Sequence, residues 1–161
     1  MTHTASVTVQ SIVKATAKHT YDVVCPIDPT KFFPGYGPIP GVTAVHNQTG
    51  SWDTVARTRQ LKLADGGHVI EEITDADSPI FFAYDLSDFQ RLFGVLVAGA
   101  RAEWRFAELD NGTEIRWTYS FYALRGRGWI VALIVKMFWG PYMRRVISSL
   151  SAEVERATKS N

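Results

Sequence analysis

Across residues 100–124 polar and apolar side chains alternate on both sides of Asp110-Asn111-Gly112-Thr113. A period of two sends successive side chains to opposite faces of a strand, and Asn-Gly is the strongest short signal for a hairpin turn. The pattern predicts two long antiparallel strands folded back on each other. With Asn111 and Gly112 as the turn of a type I′ hairpin, Phe106 falls opposite Trp117, Trp104 opposite Tyr119 and Ala102 opposite Phe121. One face of the ribbon is then a wall of aromatic rings. The other carries Arg101, Glu103, Arg105, Glu114, Arg116, Thr118 and Ser120 and belongs in water.

Such a wall needs an apolar cover. From Tyr142 onward Met143, Val146, Ile147, Leu150, Val154 and Ala157 recur at helical spacing, with Arg144, Arg145, Ser148, Ser149, Glu155 and Arg156 on the other side. A terminal amphipathic helix lying on the sheet is expected. The 161 residues, 46% hydrophobic, suit one domain over 1–161 with a real core. Its 17 basic and 16 acidic residues leave a net charge of +1 with no basic stripe, which argues against a nucleic-acid partner. The lone Cys25 forbids an internal disulfide, and the polar start Met1-Thr2-His3-Thr4 lacks a signal-peptide core, so a cytoplasmic location is expected.

Residues 6–15 read as a first, edge strand. Residues 20–25 read as a short helix stopped by Pro26, and residues 28–33 as a second with Asp28 as N-cap and Pro29 at the first helical position. Prolines and glycines punctuate residues 34–41, a stiff loop beside Phe33 and carrying Tyr36. Strands follow at 42–46, 54–63, 68–74 and 80–86, while residues 87–99 read as a loop and an early extension of the next strand. The first strand and the hairpin bring the total to seven. Their connections are too short for parallel crossovers, so the fold class is α+β with an antiparallel sheet throughout.

Within residues 54–63, Arg57 and Arg59 share a face with Val55, Leu61 and Leu63 and so point inward. If Asp65-Gly66 is a two-residue turn, Arg59 faces Glu72. A buried guanidinium needs such a carboxylate, because an unpaired buried charge costs about 3–5 kcal/mol. The same pair also fits a half-exposed position near the sheet edge. Glu71 and Glu72 point to opposite faces and cannot act as a paired acid and base. His3, His19, His46 and His68 lack ligand spacing, and the chain has no phosphate-binding loop, dinucleotide fingerprint or nucleophile motif; neither metal nor cofactor is expected.

The run Trp129-Ile130-Val131-Ala132-Leu133-Ile134-Val135-Lys136-Met137-Phe138-Trp139 is apolar nearly all round. As a helix it is about 16 Å long, roughly half a bilayer's hydrocarbon thickness, and cannot span one. Gly140-Pro141 then breaks or kinks it. Burial at the mouth of a pocket is favoured, a homodimer contact comes second, and transient membrane contact with Arg125 and Arg127 at the headgroups third. Burial predicts that this run is the first half of the terminal helix and that Met137 and Phe138 approach the cavity.

Together, Phe33-Pro34-Gly35-Tyr36-Gly37, Gly50-Ser51-Trp52, Thr58-Arg59, Asp65-Gly66-Gly67, Glu71-Glu72-Ile73-Thr74, Phe82-Ala83-Tyr84, Trp104-Arg105-Phe106 and Arg116-Trp117-Thr118-Tyr119 resemble the SRPBCC superfamily of START-like, helix-grip proteins. That superfamily includes the pollen-allergen fold and the polyketide cyclase/dehydrase and lipid-transport group. The resemblance covers nearly the whole chain; the first strand departs from it by reaching the short helix through Lys14-Ala15-Thr16-Ala17, without proline. It implies a curved sheet around a long C-terminal helix and a cavity between them for a hydrophobic or amphipathic small molecule. Such a cavity takes as candidate lining Phe33, Tyr36, Arg59, Glu72, Phe82 and Tyr84 from the first half. Trp104, Phe106, Trp117, Tyr119, Phe121, Met137 and Phe138 complete the set, although aromatics of this kind equally build plain core. The alternative function is an aromatic polyketide cyclase or dehydratase, with Arg59, Glu72 and Tyr84 as catalytic candidates, and the third a membrane-docking lipid carrier.

Overall fold

The structure, a computed structural model, describes residues 3–160. Strand β1 (His3–Val13) is followed by helices α1 (Ala17–Val24) and α2 (Pro29–Phe32) and by strands β2 (Val42–His46), β3 (Thr58–Leu63), β4 (His68–Asp77) and β5 (Phe81–Ser87). A one-turn helix α3 (Arg91–Gly94) precedes the long strands β6 (Val97–Leu109) and β7 (Gly112–Ala123). Helix α4 (Gly128–Ile134), a π-helical turn (Val135–Trp139) and helix α5 (Gly140–Lys159) end the chain. All seven strands are antiparallel in the order β1-β7-β6-β5-β4-β3-β2. This is the expected α+β helix-grip architecture, with the C-terminal helix against the concave face.

Local chemistry accounts for the element ends. Asp28 caps α2 by accepting from Thr30 N–H, and Pro29 opens it. Helix α1 starts earlier than residue 20 because Thr16 accepts from His19 N–H and supplies the N-cap. The strand expected from residue 54 begins at Thr58: Ala56 takes φ 71°, and the Arg57 side chain turns outward onto the Thr49 carbonyl instead of facing inward. The loop expected over 87–99 contains α3. On α5, Met143, Val146, Ile147, Leu150 and Val154 are buried as their spacing requires, while Ala157 is half-buried.

Both hairpin registers differ from expectation. At the β6–β7 tip the turn residues are Asp110 and Asn111, so Trp104 pairs with Trp117, Phe106 with Ile115 and Ala102 with Tyr119. Gly112 is the first residue of β7 at φ 156°, where a Cβ would sit 2.1 Å from the Val13 carbonyl oxygen. Close approach to β1, rather than turn geometry, requires this glycine. The slip is two residues, so the aromatic face is preserved. At the β3–β4 tip the loop has three residues, since Leu63 N–H donates to Gly67 O and Gly66 N–H to Leu63 O, with Gly66 at φ 86°. That slip is one residue, and Arg59 faces Glu71, not Glu72.

Candidate functional site

A cavity opens between the concave sheet, the α1–β2 segment and the C-terminal helix, with room for water centres over about 80 Å³. About 10–15 Å³ so measured holds one water, so the space takes several waters. Phe82, Trp104, Tyr119 and Phe121 form its sheet wall, and Phe33 and Ile39 close it from the loop side. Trp139 and Tyr142 enter from the helix. Trp139 is there because of the π-helical turn: Gly140 N–H bonds to Val135 O, and Pro141 has no N–H to offer Met137 O. The extra residue per turn lets the helix continue through the proline and sets Trp139 4.7 Å from Tyr119 and 5.0 Å from Phe121, ring centre to ring centre.

Two charged residues line this apolar space, Arg59 and Glu71. Arg59 Nε donates to Glu71 Oε2 at 2.6 Å, and the side chains are 6% and 5% exposed. The guanidinium also stacks on Trp52, 4.0 Å from its ring centre. Trp52 itself is buried in the loop before β3, and its Nε1, like that of Trp139, is enclosed without a hydrogen-bond partner. Tyr84 packs on Trp52 and Phe82. Burial, with the Glu71 charge next in effect, holds the Tyr84 hydroxyl well above its ordinary pKa, and burial does the same to Tyr119. Tyr142 is pushed up to about 12 by burial, moderated by Gly35 N–H, which donates to its hydroxyl at 3.2 Å. All three tyrosines therefore stand as neutral hydroxyls at neutral pH. Burial also raises the Cys25 thiol, leaving a protonated, unreactive sulfur on the wall.

Of the residues singled out in the sequence, Phe33, Arg59, Phe82, Tyr84, Trp104, Tyr119 and Phe121 line the cavity. Six do not. Glu72 is exposed on the outer face, a consequence of the three-residue β3–β4 loop. Phe106 is covered by Tyr21 of α1, at 5.4 Å. Trp117 is fully enclosed beside Trp104 on the same face of the sheet, stacked on it at 4.4 Å and met edge-on by Phe33. Tyr36 stacks on the outer side of Tyr142, under Arg145, and Phe138 packs on Tyr36. Met137 is 53% exposed because the inner side of that helix belongs to Val131, Val135 and Trp139. Sequence reasoning passed over Glu71, Trp52, Trp139 and Tyr142 as cavity residues. A signal existed for Glu71, which shares strand parity with the buried Val69 and Ile73. Trp139 lies four residues before Met143 on the buried stripe.

The sequence matches, over residues 4–155, the model of a family described as polyketide cyclase / dehydrase and lipid transport. No curated protein matches it. The fold is similar to that of a norcoclaurine synthase point mutant from Thalictrum flavum bound to a transition-state analogue, with TM-score 0.71, 12% identity and 98% of each chain covered. It is also similar to a protein from Nitrosospira multiformis, with TM-score 0.68, 12% identity and 96% of this chain and 99% of that one covered. A third similar structure, from Mesorhizobium loti, has TM-score 0.66 at 9% identity and covers 94% of this chain and 97% of that one. At these identities the likeness is one of fold.

Proposed function

The chain belongs to the polyketide cyclase / dehydrase and lipid transport family, and from that premise we propose that it binds a hydrophobic or amphipathic small molecule in the cavity between sheet and C-terminal helix. The observation that carries this reading is a largely aromatic cavity with a buried Arg59–Glu71 pair at one side. An apolar body with a few placed polar groups is the usual make-up of a small-molecule site. The test is a titration with the uncharged dye Nile red, scored by fluorescence, together with native mass spectrometry for co-purified material. Entry that is lost in Phe121→Trp or Leu61→Trp, which fill the space, supports the reading; entry unaffected by either variant overturns it.

A second reading, cyclase or dehydratase chemistry, is favoured by one feature: Glu71 brings a carboxylate into a dry cavity beside a guanidinium and the neutral Tyr84 hydroxyl. Abstraction of a proton next to a carbonyl needs such a base and a cation to take up the developing oxyanion. Turnover of an aromatic polyketide that disappears in Glu71→Gln and survives in Glu72→Gln supports this role; equal turnover in both removes it.

The surface supports a membrane partner for the carrier. Trp129, 71% exposed, Leu133 and Met137 form a ridge at intervals of four residues. Between Ile115 and Ala152 the sequence has Arg116, Arg125, Arg127, Lys136, Arg144 and Arg145 and no acidic residue. Among the described residues no helix is long and apolar enough to cross a membrane, so the ridge would lie at the interface, with Arg125, Arg127 and Lys136, its neighbours in sequence, on anionic headgroups. Sedimentation with phosphatidylglycerol vesicles, lost in Trp129→Ala/Leu133→Ala, supports this. A mass that doubles with concentration, without vesicle binding, assigns the ridge to a homodimer.

A further inference from the structure

The two charges on the cavity wall already neutralise each other, and this bears on what can enter. Among the described residues Arg59 and Glu71 are the only Lys, Arg, Asp or Glu side chains lining it, and the three tyrosines and Cys25 are held protonated. An anionic ligand would lose its hydration and meet Glu71 about as closely as Arg59, so attraction and repulsion largely cancel while the desolvation cost stands. The hydrogen-bonding capacity of the pair is not used up. Arg59 gives Nε alone to Glu71 Oε2, and Glu71 accepts nothing else among the described residues. The Arg59 Nη atoms and the second Glu71 oxygen are absent from the enclosed atoms without partners, which are Trp52 Nε1, Arg57 Nε, Trp117 Nε1 and Trp139 Nε1. They keep accessible surface, and both side chains line the cavity.

We propose that the cavity selects an uncharged aromatic ligand bearing a hydrogen-bond acceptor beside a donor, a carbonyl next to a hydroxyl or an amide N–H, and that it rejects carboxylates such as fatty-acid anions. The carbonyl accepts from Arg59 Nη and the donor reaches the free Glu71 oxygen, so both buried groups gain a partner without a change of net charge. Aromatic rings suit a wall built from Phe82, Trp104, Tyr119, Phe121 and Trp139. This inference rests on the reading of the cavity as a ligand site.

Naphthamide and naphthoate are near-isosteric: the amide offers acceptor and donor, the carboxylate acceptors and a negative charge. Displacement of Nile red by each is measured in the wild type, in Glu71→Gln and in Arg59→Gln/Glu71→Gln, with thermal unfolding as the check that each variant is folded. The wild type is expected to bind naphthamide at least tenfold more tightly than naphthoate. Glu71→Gln leaves the Arg59 charge uncompensated and is expected to raise naphthoate affinity at least tenfold; the double variant removes that gain. In the wild type alone, naphthoate affinity rises by up to about tenfold per unit as pH is lowered toward the probe's own carboxyl pKa, with naphthamide flat, which carries the test even if Glu71→Gln does not fold. A wild type that prefers naphthoate, a folded Glu71→Gln with an unchanged ratio, or naphthamide that fails to displace a bound dye overturns the proposal while leaving the cavity a ligand site. Failure of Nile red itself to enter overturns the underlying reading as well.

Discussion

Replacing one member of the Arg59–Glu71 pair is expected to cost far more than replacing both. In Arg59→Met the Glu71 carboxylate, 5% exposed in the wild type, loses the only hydrogen-bond donor it has among the described residues, at 2.6 Å. Leaving a buried charge without its partner costs about 3–5 kcal/mol, and loss of the guanidinium from the Trp52 face removes about 1–2 kcal/mol more, which methionine partly restores. Glu71→Leu strands the cation, but that cation retains Trp52 at 4.0 Å, so the cost falls nearer about 3 kcal/mol. Arg59→Met/Glu71→Leu removes both desolvation penalties and replaces the pair with apolar side chains of similar length. It is expected within about 1 kcal/mol of the wild type, or more stable by up to about 4 kcal/mol. Urea unfolding of the four proteins, read as midpoint times slope, gives the cycle. A coupling below about 1 kcal/mol, or a double variant as costly as the two single changes added together, would refute the account of the pair as buried and mutually dependent. If the double variant is as stable as the wild type yet no longer distinguishes naphthamide from naphthoate, the pair contributes to recognition rather than to stability.

Trp117→Ala is expected to destabilise by about 3–5 kcal/mol while changing Nile red affinity less than about threefold, since Trp117 is fully enclosed and is not among the residues lining the cavity; a urea cost under about 1 kcal/mol would contradict its enclosure. Gly112→Ala forces a side chain into φ 156° against the Val13 carbonyl and is expected to cost at least about 1–3 kcal/mol, read from the shift in urea midpoint, whereas Met137→Ala, at an exposed position, should fall within about 0.5 kcal/mol of the wild type. Tyr142 has an ordinary pKa of 10.0 when unfolded and about 12 when folded, so the stability it contributes is fully present below pH 10 and lost as pH rises to about 12; unfolding free energy in Tyr142→Phe should fall less steeply across that window.

The sheet and its grip on the helix were legible because they rest on period. Alternation in residues 100–124 and helical spacing after Tyr142 each sum over many residues, and one misplaced turn does not change which face is apolar. The β6–β7 tip shows this: Asn-Gly named the wrong turn pair, yet a slip of two left Trp104, Phe106, Trp117 and Tyr119 on the same side. The π-helical turn was visible only as a break, since Gly140-Pro141 says that an N–H is missing and not how the carbonyl ladder adjusts. The fate of Met137 and Phe138 followed from that adjustment and could not be read from an apolar run in which every position looks buried.

The polar side of the cavity was less legible for a different reason: it depends on a single residue of loop length. Asp65-Gly66 suits a two-residue turn, and so does a three-residue loop ending on a glycine at positive φ, which is what Ala64, Asp65 and Gly66 form. The two differ by one residue in register and therefore exchange the faces of every residue on β4 relative to β3. Two adjacent glutamates made the choice silent, because either supplies a carboxylate to Arg59. What separates them is the rest of β4: Val69, Glu71 and Ile73 are buried, so a register that pairs Arg59 with Glu72 would expose Val69 and Ile73 to bury Ile70 and Thr74. Apolar burial is worth about 1.5–3 kcal/mol for each large side chain. Ile70 would merely replace Ile73 in that exchange while Val69 gave way to Thr74, so the hydrophobic content of β4 favours the observed register with no help from the ion pair.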